Sequence, residues 1–286
     1  MTKTLEHNIL IIPDVHGRVF WRCPVEECLS DIESGNMEVV FLGDYLDPYP
    51  SEVEDEIAFG ETGALKQLEE IFIPLAKKYP ENVHLLMGNH DLQYYSKKFA
   101  KYSHDRYSIS IADKIIKVFA ENKDVFRLAW DCFVGETLYL FSHAGVLKSW
   151  VDCFYRDNKI KRPNADFLNN IIDNPKNSIG PLTSVGPERG GMFRIPGSPV
   201  WADAEEHFWA WKNEEYPNRK RQEVYKDKIY QIFAHTRTYP PGDDLFDNRD
   251  SLDKYYIGEH WAMLDARRCF IMDTEGNIKE YAEEDG

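Results

Sequence analysis

The stretch "IIPDVHGRVF", residues 11–20, ends an apolar run on an aspartate, a histidine and a glycine. A buried strand has no use for Asp14 and His16. A turn can use one of them, and a metal ion can use both. Four further apolar runs finish in the same way: "VVFLGDYLD" (39–47), "HLLMGNHD" (84–91), "LYLFSHAG" (138–145) and "QIFAHT" (231–236). One such ending is weak evidence, because Asp-x-His more often marks a turn than a ligand pair. Five of them, each closing an apolar run, point to a shared site.

The runs themselves alternate with helix-like segments. "NILIIP" (8–13), "EVVFLG" (38–43) and "NVHLLMG" (82–88) read as strands. "PVEECLSDIESG" (24–35) and "ETGALKQLEEIFIPLAKKYP" (61–80) read as helices, the second ending at Pro80. Strand–helix–strand–helix–strand implies parallel strands joined by crossover helices. Ligands bind at the carboxyl ends of such strands, so residues far apart in sequence meet there. After a helix over 108–122, "VFRLAWDCFVG" and "ETLYLFSHAG" predict two neighbouring strands around a turn at Gly135. Residues 147–228, rich in Pro, Asn, Gly and Trp, are expected to be an irregular elaboration. "IYQIFAHT", "HWAMLD", "CFIMDT" and, after the turn "EGN", "IKEY" predict four last strands. The expected fold is mixed α/β, as one mixed sheet or two stacked sheets with outer helices.

Composition narrows the function. The 286 residues, 43% of them hydrophobic, suffice for one large domain, taken here as 1–286. No run reaches the ~18 apolar residues of a membrane span. "MTKTLEHN" lacks the layout of an export signal. Five scattered cysteines with no close pair suggest a reduced, cytoplasmic protein. A net charge of −15 repels the nucleic-acid backbone, so an extended nucleic-acid footprint is not expected. A small phosphorylated substrate stays compatible if bound cations reverse the sign locally.

The candidate ligands are Asp14, His16, Asp44, Asn89, His143 and His235. Imidazole nitrogens with carboxylate and amide oxygens suit Mn, Fe, Zn or Ni, and the absence of thiolates argues against a structural zinc. Two divalent metals sharing a carboxylate, roughly 3.5–4 Å apart, clamp the attacking and leaving oxygens of a phosphoryl displacement. They also lower the pKa of bound water.

The blocks "DVHG", "GDYLD", "GNHD", "SHAG" and "AHT" resemble those of the calcineurin-like metallophosphoesterases. "GDYLD" and "GSPVWAD" (197–203) are similar to the phosphoprotein-phosphatase branch, which includes diadenosine tetraphosphatases. The resemblance implies a four-layer α/β/β/α sandwich, with inserted or cap elements at about 94–107 and 147–228. It assigns one metal to Asp14, His16 and bridging Asp44, and the second to Asp44, Asn89, His143 and His235. It makes His90 a substrate-facing acid oriented by Asp47, with a metal-bridging hydroxide as nucleophile. A carboxylate raises an imidazole's pKa and fixes its tautomer, as general acid catalysis requires.

Two departures accompany the resemblance. Where the branch carries Arg-Gly after the second aspartate of its "GD" block, this chain has Pro48-Tyr49. Two residues after His235, where many members have a further histidine, stands Arg237. A phosphate arginine must then come from elsewhere, and Arg189, in the glycine-rich "GPERGG", leads Arg18, Arg194 and Arg237. Among other histidines, His84 reads as a satisfied strand residue, and His104 as part of a lid or of a solvated helix. The aromatics of "HFWAWKNEEY" (207–216) read as packing before nucleobase stacking.

The expected activity is hydrolysis of phosphomonoesters, in serine/threonine-phosphatase fashion. The substrate is a phosphorylated small molecule, a nucleotide or a phosphoprotein. Hydrolysis of a diester or a dinucleoside polyphosphate is the alternative, since the same metals serve it. A non-catalytic scaffold is the rival from another class, against which stands the complete set of ligands with His90 and Asp47.

Overall fold

The computed structural model describes residues 2–49, 61–103, 106–156, 160–174, 178–192, 194–211, 223–236 and 255–282. Two compact units divide the chain. The first is Leu5–Arg127 with Arg267–Gly286; the second is Met1–Thr4 with Leu128–Ala266.

The first unit is built on a six-stranded sheet. Its order is Ile278–Glu280, Phe270–Met272, Asn8–Ile12, Met37–Phe41, Val83–Leu86, Phe126–Arg127. The last four strands run parallel, with Ile11 opposite Val40 and Val40 opposite His84. Phe270–Met272 joins them antiparallel. Ile9–Ile12 and Val39–Phe41 are fully buried on both faces, as continuous apolar runs in a parallel sheet must be. His84 bonds Glu38 across the sheet at 2.9 Å, the satisfied strand histidine expected above.

The expected helices form with two breaks. Residues 24–35 become Arg22–Glu27 and Leu29–Ser34, the latter closed by Gly35 at φ 77°. The long helix becomes Glu61–Gln67, a π-helical turn Leu68–Phe72, and Ile73–Lys78. Pro74 explains the wider turn: it has no N–H for the Glu70 carbonyl, and its ring crowds that carbonyl. Phe72 buries against Trp21 and Phe41, with ring centroids 4.7 and 5.0 Å away. Ala112–Glu121 forms inside the predicted 108–122 and buries Ala112, Ile115, Val118 and Phe119.

The second unit carries the other sheet, in the order Lys3–Thr4, Ala129–Val134, Thr137–Ser142, Ile229–Phe233, Trp261–Met263, Tyr256–Ile257. Ala129–Val134 and Thr137–Ser142 form the predicted hairpin around Gly135, whose φ is 57°. Thr137–Ser142, Ile229–Phe233 and Trp261–Met263 run parallel. The short strands Lys3–Thr4 and Tyr256–Ile257, too brief to carry a pattern, were not expected. Residues 147–228, expected to be irregular, hold helices Lys148–Tyr155, Ala165–Asp173, Ile179–Leu182 and Ala204–Trp211. Their Pro and Asn punctuation lies at helix ends; Asn164, for one, caps Ala165–Asp173 by accepting from the Phe167 N–H at 2.9 Å. No described helix is long and apolar enough to cross a membrane.

Candidate active site

In the first unit, three parallel strands end together. The segments after Asn8–Ile12, Met37–Phe41 and Val83–Leu86 carry Asp14 and His16, Asp44 and Asp47, and Asn89 and His90, the last two opening the short helix Asn89–Leu92. The first two loops run side by side: the His16 N–H donates to the Asp44 carbonyl at 2.6 Å and Gly17 N–H to the Tyr45 carbonyl at 3.2 Å. Gly43 and Gly88 let the second and third loops touch. A Cβ on Gly43, whose φ is 108°, would lie 2.4 Å from the Gly88 nitrogen.

Asp91 ties these loops from beneath. Its fully buried carboxylate accepts from the N–H groups of Asp44 at 2.7 Å, Gly88 at 2.9 Å and Tyr45 at 3.0 Å. Burial, and then the charge of Asp44, push its pKa well above the ordinary carboxylate range. Asp91 lies within the quoted "GNHD" block, but nothing in its spacing marks it as the brace of a loop 47 residues earlier.

The backbone is strained where the chemistry would sit. His16, Asp44 and Asp47 have φ of 48°, 52° and 55°, a region that non-glycine residues seldom occupy and which costs on the order of 1–3 kcal/mol each. Arg106 at 60° and, in the second unit, His235 at 68° share it.

His16 is 1% exposed, and its Nδ1 lies 2.7 Å from the Leu46 carbonyl. A proton on Nδ1 donated there leaves Nε2 bare, 3.3 Å from Asp44 Oδ2. Burial first, then the charges of His90, Arg106 and Arg18, hold its pKa well below the ordinary value, so the imidazole is neutral. A bare nitrogen on a neutral ring beside a carboxylate is an arrangement that can hold a metal ion. Ligand atoms of His16, Asp44 and His90 all fall within 4.8 Å of one another. Asp14 and Asn89 are buried at 3% and 4% exposure. The His16–Asp44 pair, with the His90 ring within reach, is chemically suited to a divalent cation.

His90 is held by both ring nitrogens. Nδ1 lies 2.9 Å from Asp47 Oδ2, and Nε2 lies 2.8 Å from Arg106 Nη2. Its backbone N–H donates to Asp44 Oδ1 at 2.9 Å. Asp47 is itself braced: the Tyr94 hydroxyl donates to Oδ1 at 2.6 Å, Ser108 Oγ to the same oxygen at 3.4 Å, and Gln93 Nε2 to Oδ2. Burial raises the Asp47 pKa, while the bonds from His90, Tyr94 and Gln93 pull against it.

Arg106 was not singled out in sequence, although it lies in "KYSHDRYS" beside His104. Its Nη1 donates to the Asp47 carbonyl, and its guanidinium lies 3.6 Å from the Tyr49 ring centroid. Arg18 is buried, with Nη1 3.2 Å from the Asp14 carbonyl and its guanidinium 5.5 Å from the same Tyr49 ring. His104 lies outside the described residues.

In the second unit, His143 follows Thr137–Ser142 and His235 follows Ile229–Phe233, at adjacent parallel strand ends. The Ala234 N–H donates to the His143 carbonyl at 2.8 Å, and His143 Nε2 lies 3.0 Å from His235 Nδ1. Arg189 grips this corner: Nε donates to Asp203 Oδ2 at 2.7 Å, and Nη2 to the His235 carbonyl at 2.8 Å and Thr236 Oγ1 at 3.2 Å. Nη1 makes none of these bonds. Arg194 is exposed, and Arg237 lies outside the described residues. His207, which showed no pattern in sequence, is buried 3.1 Å from the Ala144 carbonyl, and burial lowers its pKa to about 4. Of the aromatics at 207–211, Trp211 packs on His260 at 3.6 Å and Trp209 donates to Glu205 at 2.9 Å.

Comparison with known proteins adds a family and a fold. The calcineurin-like phosphoesterase family matches residues 7–207. A cold-active protein tyrosine phosphatase shares 15% identity over 98% of this chain and 80% of that one, with a TM-score of 0.53. A structure of the cold-active protein-tyrosine phosphatase of a psychrophilic Shewanella species gives 15% identity, 98% and 81% coverage and a TM-score of 0.52. A protein serine/threonine phosphatase from Saccharomyces cerevisiae gives 14% identity, 98% and 81% coverage and a TM-score of 0.46. No curated protein sequence gave a match. Two six-stranded sheets with helices are consistent with that family's sandwich fold.

Proposed function

From the premise that the chain belongs to the calcineurin-like phosphoesterase family and is a metal-dependent phosphoric ester hydrolase, we propose that it cleaves phosphomonoesters at a dinuclear site within a single domain. The observation that carries this reading is the His90–Asp47 pair, 2.9 Å apart, beside the buried His16–Asp44 donor set. Asp14, His16 and Asp44 would hold one metal, and Asp44, Asn89, His143 and His235 the other, as the family's blocks imply. Mn, Fe, Zn and Ni all suit these donors, with Mn the choice for reconstitution. When bound, the metals supply an activated water and offset the charge of the phosphate.

The chain's own residues do the rest. Asp47 Oδ2 holds the Nδ1 proton of His90 and turns Nε2 outward, towards the oxygen that leaves. Nε2 takes up a proton from solvent and passes it to that oxygen, so that departure as an alkoxide is avoided. The Asp44 carboxylate fixes the His90 backbone while serving as ligand, which keeps acid and metal in register. Arg18, Arg189 through Nη1, and Arg237 are the arginines offered to substrate in this reading. The substrate is a phosphorylated small molecule, nucleotide or phosphoprotein. The free thiols of Cys23, Cys28, Cys132, Cys153 and Cys269 favour the cytoplasm.

The test is turnover of p-nitrophenyl phosphate and bis-p-nitrophenyl phosphate side by side, with protein stripped of metal and reloaded with Mn²⁺. Faster monoester cleavage is expected. Faster diester cleavage would transfer the activity to diesters or dinucleotides. Bound metal without turnover of either would make the chain a scaffold.

A further inference from the structure

The Arg106 side chain is placed where nothing in the sequence pattern puts a cation. It arrives from a turn held at φ 60°, an uncommon conformation for arginine, and sets its guanidinium over the Tyr49 ring, 3.6 Å from the centroid. The stacking leaves the edge of the fork facing His90. Along that edge Nη2 lies 2.8 Å from His90 Nε2 and Nη1 donates to the Asp47 carbonyl. Asp47 immediately precedes Pro48, the position where the resembling branch has its arginine and this chain has none.

We propose that Arg106 is a further phosphate-binding arginine of this site, and that it exchanges His90 Nε2 for a substrate oxygen when the phosphate arrives. This rests on the phosphoester-hydrolase reading given above. The physical case is one of competing acceptors. A ring nitrogen and a backbone carbonyl are weaker partners for a guanidinium than a phosphate dianion, whose oxygens match the fork bidentately. Tyr49 keeps the guanidinium plane while permitting it to slide, because a cation over an aromatic face has no directional bond to break. His16 and His90, their rings 5.1 Å apart, stand beside it, and Arg18 lies on the same tyrosine. The exchange has a consequence for the acid. In the free protein Nε2 faces Arg106; with phosphate bound it faces the leaving oxygen.

Orthophosphate binding, measured by calorimetry on the Mn-loaded full chain, tests this with Arg106→Ala and Arg106→Lys. Arg106→Ala should weaken orthophosphate about tenfold or more and raise KM for p-nitrophenyl phosphate in step, with Mn content unchanged. Free guanidinium at non-denaturing concentration should restore part of both, which a merely structural arginine would not permit. Arg106→Lys should stay impaired, since an ammonium cannot supply the fork. Phosphate affinity and KM within twofold of the parent would overturn the proposal, and so would a loss that guanidinium leaves untouched. If the parent protein binds metal but hydrolyses no ester, the functional reading fails by itself. Orthophosphate binding and its rescue then still decide the role of Arg106.

Discussion

A methyl group at Gly88 tests how closely the site is built. Its backbone, at φ −91° and ψ −177°, is extended and open to any residue, so Gly88→Ala meets no conformational barrier. Space is what forbids it. A Cβ there would lie 2.0 Å from Asp44 Oδ1 and 2.7 Å from the Asp44 nitrogen, against a working limit of 3.0 Å for real Cβ contacts. The Asp44 carboxylate would have to retreat by about 1 Å, since dense interiors leave no other room. That retreat breaks the bond from the His90 N–H and lengthens the 3.3 Å approach to His16 Nε2. Metal–ligand distances tolerate only about 0.2 Å, and a 1 Å misplacement costs on the order of a hundredfold in rate. Overpacking by itself costs roughly 1–3 kcal/mol, which shifts a chain of this size by several degrees without unfolding it. Gly88→Ala should therefore melt cooperatively, lose Mn on dialysis as read by elemental analysis, and hydrolyse p-nitrophenyl phosphate about a hundredfold more slowly. A variant with full metal and parental turnover would refute the close approach of the two loops.

Three further expectations follow from the same contacts. Asp47→Asn should keep metal but lower kcat by about 10²–10⁴, because His90 loses the partner that orients it; His90→Asn should do the same, and parental turnover in either would remove the acid. Asp91→Asn turns one of three acceptances into a donor facing a donor, at a cost of about 1–3 kcal/mol in chemical denaturation; an unchanged midpoint would show that Asp91 does not brace the loops. Burial lifts the Glu206 pKa to about 7 against bonds from the Gly197 and Asp203 N–H groups, so the folded chain holds that proton more tightly than the unfolded one. Its contribution is full below about pH 4.5 and is lost as pH rises through about 7, on the order of 3 kcal/mol in all. Urea unfolding at pH 5 and pH 8 should show this loss, and Glu206→Gln should flatten it; identical slopes in both proteins would exclude Glu206 as the source.

The periodicity of "NILIIP", "EVVFLG" and "NVHLLMG" determined three parallel strands, because apolar runs between helical segments leave few other arrangements. The endings of five such runs picked out Asp14, His16, Asp44, Asn89, His143 and His235 as candidates, since what closes a strand is a local property of the chain. Residues 147–228 read as irregular because their Pro and Asn mark helix ends, and ends outnumber interiors in short helices. The π-helical turn before Pro74 arises from one missing N–H, a detail that periodicity averages away.

Tertiary structure decided what each side chain meets. Asp91 reaches Asp44 across 47 positions, Tyr94 reaches Asp47 across the same span, and Arg106 arrives on His90 from a segment with no pattern of its own. Each acts through a hydrogen bond to backbone, carboxylate or ring. Such bonds depend on the closure of loops between strands, which a local pattern does not encode. The sequence by itself determined the strand ends and the residue types that close them. The bracing of Asp44, the tautomer of His16 and the arginine on His90 were settled by folding, because only there do distant chain segments come within about 3 Å.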